Sequence, residues 1–340
     1  MRAWTIALAI CLLFLAGVVG AEQSAWEQVW RSETAASGLT MVGQAKTMTA
    51  TDGRSLSATA EVRAANGKVR LDYRANGRQW SLIDDGKRLL QLHSREKMVQ
   101  VRERPPLAID RGLAERNYVA RAIGEATVAG RKAVVIEIAP REAGPVVQRL
   151  WLDRETGFAL KRERYNAESR LVSGTEYLEI GFRKAVDASV FEAPAGWRFE
   201  GPAPVAPKLN IADLSKRMRF EVHPPSYLPR GYELLGGYEQ HWGRRERGSA
   251  ELRYTDGLRV LSVFERPRTG EEGRGRGRHG RGSARGRDRG RRERGSPDAE
   301  LTVNDRGTEK VLRYHGRELV VIVVGDLTAD ELVRIGKSVE

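Results

Sequence analysis

Five histidines, one cysteine and a few adjacent carboxylates are the raw material for chemistry in this chain. The histidines are His93, His223, His241, His279 and His315, and no two have the spacing of metal ligands on one helix face. Cys11 lies in an N-terminal apolar run, and no other cysteine follows, so disulfides, thiolate nucleophiles and cysteine metal sites are excluded beyond that run. No Gly-x-Ser-x-Gly elbow occurs. Asp84-Asp85 runs into Gly86 and reads as a turn, and Glu271-Glu272 falls in a low-complexity stretch. These residues assign no catalytic group, no cofactor and no metal, and the chain is read as a non-enzyme.

Charge offers a second kind of chemistry. The formal net charge is +13, yet Arg266 to Arg294 holds twelve arginines against Glu271, Glu272, Asp288 and Glu293, a net +8 in one segment. Arginine-rich segments bind phosphate backbones. Between Thr269 and Pro297, however, there is no Phe, Tyr or Trp to stack on bases, and no nucleic-acid partner is expected. Gly, Arg, Ser and Asp without apolar residues cannot form a core, so residues 269–297 are expected to be a disordered insert. The sharper alternative is attachment to anionic lipid or lipopolysaccharide head groups, worth roughly one kcal/mol per arginine near such a surface.

The N-terminus explains why nucleic acid is remote. Arg2 supplies a positive start, Thr5 to Gly20 is apolar, and Val19 and Ala21 are small residues placed for cleavage after Ala21 or after Gly20. Residues 1–21 therefore read as a secretory signal peptide. A retained anchor is the alternative, but spanning a bilayer takes about 20 apolar residues and this run is shorter. Without disulfides the exported chain must rest on its hydrophobic cores, and it is long enough for two.

The elements that would position any site follow from periodicity. Trp26, Val29 and Trp30 recur at helical spacing after Ser24, a natural N-cap, and predict a short amphipathic helix. From Thr40 to Arg102 the period becomes two, with turns at Thr51-Asp52-Gly53, Asn66-Gly67, Asn76-Gly77 and Asp85-Gly86, which predicts an antiparallel meander. Pro105-Pro106 breaks it, and Gly112 to Ile123 reads as a helix. Strands resume over 134–138, 147–152, 158–165 and 177–182. Gly201 to Pro207 is a proline-rich spacer. Beyond it come strands near 232–238, 250–254, 258–264, 301–303, 308–313 and 318–324. A final helix is announced by the capping box Thr328-Ala-Asp-Glu331. The fold class is α+β. The expected organisation is residues 22–200 as a first domain, 201–210 as linker and 211–340 as a second domain carrying the insert.

With these segments laid out, the chain resembles the MucB/RseB family of periplasmic regulators of an extracytoplasmic-stress sigma factor. In the first domain the resemblance rests on Leu150-Trp-Leu-Asp-Arg-Glu-Thr-Gly-Phe-Ala-Leu160 and on Phe191 with Pro194-Ala-Gly-Trp197. In the second it rests on Pro224-Pro-Ser-Tyr-Leu-Pro-Arg-Gly-Tyr-Glu-Leu234, on the run from Tyr254 to Phe264, and on the run from Val320 to Val339. The resemblance implies a LolA-like antiparallel half-barrel around helices, followed by a smaller α+β domain. It also implies a periplasmic protein that binds the extracytoplasmic domain of a membrane anti-sigma factor and shields it from proteolysis, with lipid-like envelope signals releasing it. The Arg/Gly insert departs from the family pattern and puts in doubt any partner surface formed by the hairpin it is read to interrupt.

A lipid or lipoprotein carrier using the half-barrel cavity is the alternative function. The candidate ligand-binding residues are the apolar lining of the first domain: Leu71, Tyr73, Trp80, Leu82, Leu90, Ile136 and Trp151. Ordinary sheet-core packing is the competing explanation for all seven. Monomer and homo-oligomer are both left open.

Overall fold

The structure is a computed structural model and describes residues 22–51, 54–103, 110–182, 185–201, 206–240, 248–268, 300–305, 309–316 and 318–339. The expected signal peptide, the expected insert 269–297, residues 202–205 of the expected linker, Asp52-Gly53 and Pro105-Pro106 lie outside the described residues. The chain divides into two compact units, Met1–Leu107 with Glu115–Val205, and Ala108–Ala114 with Ala206–Glu340. It is an α+β protein rich in sheet.

In the first unit, helix α1 covers residues 22–38, so Ser24 lies inside it instead of capping it. Trp26, Val29 and Trp30 are buried as their spacing predicts, and the two indoles stack with centroids 4.9 Å apart. The meander follows as β1 (Met41–Thr51), β2 (Arg54–Ala65), β3 (Lys68–Ala75), β4 (Arg78–Asp84), β5 (Arg88–His93) and β6 (Met98–Glu103). Asn66-Gly67 and Asn76-Gly77 all have positive φ, as two-residue hairpin turns require. The adjacent carboxylates form the expected turn: Asp84 accepts from the Gly86 amide and Asp85 from the amides of Lys87 and Arg88.

The helix expected over 112–123 is shorter. Helix α2 spans Arg111–Asn117, and the chain then extends as β7 (Tyr118–Val128), turning at Ala129-Gly130 into β8 (Arg131–Pro140). Strands β9 (Gln148–Asp153), β10 (Ala159–Tyr165) and β11 (Leu171–Phe182) complete the return, and short β12 (Arg198–Glu200) adds parallel to β6. The twelve strands form one sheet in the order β12-β6-β5-β4-β3-β2-β1-β11-β10-β9-β8-β7.

The second unit contains α3 (Ile211–Met218), capped by Asn210, and then β13 (Glu233–Gln240), β14 (Ser249–Thr255), β15 (Val260–Pro267), β16 (Glu300–Asp305), β17 (Lys310–His315), β18 (Leu319–Gly325) and α4 (Ala329–Lys337). The Thr328/Glu331 capping box starts α4 as read from the sequence. The sheet order β13-β14-β15-β18-β17-β16 corrects one expectation: β15 and β16 are separated by β18 and β17, so the expected insert does not interrupt a hairpin. Leu214 of α3 and Leu332 and Ile335 of α4 bury against Leu252, Leu261, Val263, Leu312 and Val323 of the sheet.

Candidate functional site

On β1, Gly43, Ala45, Thr47 and Thr49 face Val62, Ala60, Ala58 and Leu56 of β2. Val62 and Ala60 face Leu71 and Tyr73 of β3, which face Leu82 and Trp80 of β4. Cross-strand partners share a sheet face, so these residues form one continuous surface. Helix α1 lies on it: Ala35, Ala36 and Leu39 pack against the same cluster, and Glu33 pairs with Arg162 of β10 at 2.8 Å. Where small residues meet across β1 and β2, the face leaves a cavity of about 840 Å³, within the size range of small-molecule sites.

Tyr73 and Trp80 form one wall of that cavity as a stacked pair, centroids 5.1 Å apart and planes within 10°. Leu56 and Ala58 extend the apolar wall, while Thr47, Thr49, Ser173 and Thr175 add short polar side chains. Arg78 and Arg162 bring positive charge to the lining. Burial raises the Tyr73 phenol above its ordinary range. The cavity therefore offers an aromatic plate, hydroxyls and two guanidinium groups: it can hold an amphipathic or anionic group, and it carries no acid–base pair for a reaction.

Of the seven sequence-selected residues, Tyr73 and Trp80 line the cavity, and Leu71 and Leu82 continue the same face. Ile136 is 0% exposed; it pairs with Leu150, which pairs with Arg162, so it belongs to this face as sheet core outside the lining. Leu90 is on the opposite face. It pairs with Ile83, is 5% exposed, and packs with Leu92, Val99, Val101 and Phe191 in a separate cluster. Trp151 alternates with buried Leu150 and Leu152 and packs, partly buried, against the same cluster as α1, outside the cavity lining. Lys161 Nζ lies 4.7 Å from its ring centroid and is held by Glu163 and Glu176, each at 3.1 Å.

The face opposite α1 also carries a charge cluster. Asp72 accepts from Arg63, Arg70 and Ser81, and Arg70 also donates to the Val190 carbonyl. Burial pushes the Asp72 carboxyl up, but the hydrogen bonds from Arg70 and Ser81 and the charges of Arg70 and Arg63 bring it below the ordinary value. Among the described residues there is no group of three His, Cys, Asp or Glu that could hold a metal, and no helix is long and apolar enough to cross a membrane. His241 and His279 lie outside the described residues.

Sequence reasoning missed Leu56, Arg78 and Arg162. Arg162 stands two positions from fully buried Leu160 on the same strand, an inward position where a charge marks either a partner or a ligand. Leu56 is 55% exposed between two serines, and a lone apolar residue at a hairpin end gives no periodic signal.

Fold and cavity together define a two-unit, sheet-built protein whose larger unit holds a ligand-sized cavity beside a tryptophan-rich helix. Residues 50–195 match the family model of the MucB/RseB N-terminal domain. The chain is 30% identical over 150 residues to the sigma factor AlgU regulatory protein MucB of Pseudomonas aeruginosa, a match spanning 44% of this chain and 44% of that relative. Over this stretch the chain is similar to the MucB/RseB family, and it spans less than half the length of the curated relative it matches. In fold it is similar to MucB in the complex structure of Pseudomonas aeruginosa MucA/MucB, with TM-score 0.61 and 20% identity, covering 92% of this chain and 97% of that one. A crystal structure of MucB in complex with MucA(peri) gives TM-score 0.60 at 21% identity, over 92% and 97% of the two chains.

Proposed function

We propose that this chain is a regulatory binding protein of the periplasm that holds the extracytoplasmic part of a membrane-spanning anti-sigma factor and restrains its proteolysis. The observation that carries this reading is the 30% identity, over 150 residues, to a protein named as a sigma factor regulator. The fold likeness supports it over a longer stretch, because MucB structures solved with MucA align with 92% of this chain, including the second unit that a bare carrier would not need. The chemistry of the residues agrees: the cavity is built for holding and not for turnover, and the apolar N-terminal run suits export.

The test is a pull-down in which the purified chain from residue 22 onward is offered the extracytoplasmic segment of the anti-sigma factor encoded with its sigma factor. Stoichiometric capture is expected. Failure to capture it, together with tight uptake of an acylated peptide by the same chain, would replace this reading with the carrier.

A further inference from the structure

Glu265 lies two residues before the end of β15 and is 0% exposed. Its cross-strand partners are Ala250 on β14 and Val321 on β18, both apolar. One carboxyl oxygen, Oε2, accepts the backbone amide of His223 at 3.0 Å. Among the described residues the other, Oε1, has no hydrogen-bond partner, and neither has the buried hydroxyl of Tyr254 or the Nδ1 of His223. A carboxylate in this position would keep one hydrogen bond and no counter-charge, an expensive state for a buried ion.

Among the described residues few titratable groups face it; one strand beyond Val321, β17 brings Tyr314 to the same face. Tyr254 comes from β14; burial, and then the charge of Glu265, raise its phenol. From the 221–227 segment comes the His223 ring, with Nδ1 4.0 Å from Oε2 and Nε2 3.9 Å from the outward-facing Glu221. Helices α3 and α4 bring Leu214, Leu332 and Ile335 to this core, none of them ionisable. Burial pushes the Glu265 carboxyl up to about 7, with the His223 amide opposing.

The segment that covers Glu265 is tied down at several points. The Val222 amide donates to Ser215 Oγ, the amides of Ser226 and Tyr227 donate to Ser338, and Arg334 covers the Tyr227 ring at 3.8 Å. The His223 amide is the tie to the sheet. We propose that Glu265 is a proton-operated latch on the 222–227 segment: the neutral carboxyl lets the segment lie closed on the sheet, and loss of its proton to solvent opens the segment to admit water to the charge. A second carboxyl oxygen without a partner among the described residues makes water the cheapest source of solvation, and the 222–227 segment, tied to Glu265 through the His223 amide, is the element that can yield to admit it. The latch would make the second unit respond to the acidity of its compartment near neutrality.

Hydrogen–deuterium exchange on the full chain tests this at about pH 5.5 and about pH 8, corrected for the intrinsic pH dependence of exchange. Amides of 222–227 should exchange several-fold faster at the higher pH. Glu265→Gln, neutral and of equal size, should hold the slow rate at both, while His223→Ala, which keeps the backbone amide, should retain the response. An undiminished response in Glu265→Gln, or its loss in His223→Ala, would overturn the latch. Carboxyl-carbon NMR of the unsubstituted chain gives an independent check: the Glu265 carboxyl should titrate together with the exchange change, and titration in the ordinary carboxylate range would refute the proposal.

Discussion

Across β1 and β2 of the first unit, the residues that meet under α1 include Gly43, Ala45, Ala58 and Ala60; across β14 and β15 of the second they are Leu252, Tyr254, Leu261 and Val263. The same antiparallel pairing thus gives two outcomes. Along the same face the first sheet keeps a cavity of about 840 Å³, lined at Ala58 and Ala75 and by short Thr47, Thr49, Ser173 and Thr175. Branched side chains and two helices fill the second, and the polar group buried deepest in it is Glu265. Side-chain volume on one sheet face decides whether a unit stores space or stores packing. The electrostatics differ as well. In the first unit Asp72, Asp85 and Asp153 all sit below the ordinary aspartate value, each through hydrogen bonds and arginine charge that overcome burial; in the second, burial holds Glu265 above the ordinary glutamate value.

The strongest way to sharpen this contrast is to remove packing. Leu252→Ala should cost the second unit about 2–5 kcal/mol in denaturant unfolding, because a filled core cannot collapse onto the hole. Next comes pH. Stability from the depressed aspartates is present above their ordinary range and is lost as acid protonates them through their folded values. For Glu265 the sign reverses: its contribution is complete below the ordinary glutamate value of 4.5 and is lost as pH rises to about 7. Calorimetry should therefore find the second unit's transition falling between those two values, with no such fall for the first unit, and Glu265→Gln should flatten it. Trp80→Ala removes one wall of the cavity. It should weaken uptake of an apolar fluorescent probe roughly tenfold for a stability loss near 1 kcal/mol, the scale of an aromatic pair. Leu90→Ala, on the other face, should destabilise without touching uptake. The smallest effect belongs to Arg162→Ala: its partly exposed pair with Glu33 should be worth under about 1 kcal/mol, measurable only as a change in probe affinity.

How far the sequence could be read depended on which signal a residue carried. Asn66-Gly67 and Asn76-Gly77 announced their hairpins because positive φ at both positions favours those residues. The β7–β8 hairpin was hidden because Ala129, a poor candidate for positive φ, occupies its first turn position, so β7 merged with α2 into one expected helix. Helix α3 went unread for want of an apolar run, burying only Leu214. Clean alternation places Leu71 and Tyr73 on one face with Leu82 and Trp80. It fails where two apolar residues are adjacent, as in Leu82-Ile83 and Leu89-Leu90. One face there is buried with Phe191 while the other is only partly covered, and a one-residue slip moves a side chain to the other face. Trp151 packs against the cluster under α1 without lining the cavity.

The proposed function is protection of a partner, and its most direct measurement is the rate at which a protease that attacks the anti-sigma factor cleaves the extracytoplasmic segment, with and without an equimolar amount of the chain from residue 22 onward. The account predicts cleavage slowed at least tenfold by the intact chain, with the slowing titrating to one chain per segment. Cleavage at an unchanged rate while the chain is demonstrably folded would contradict it.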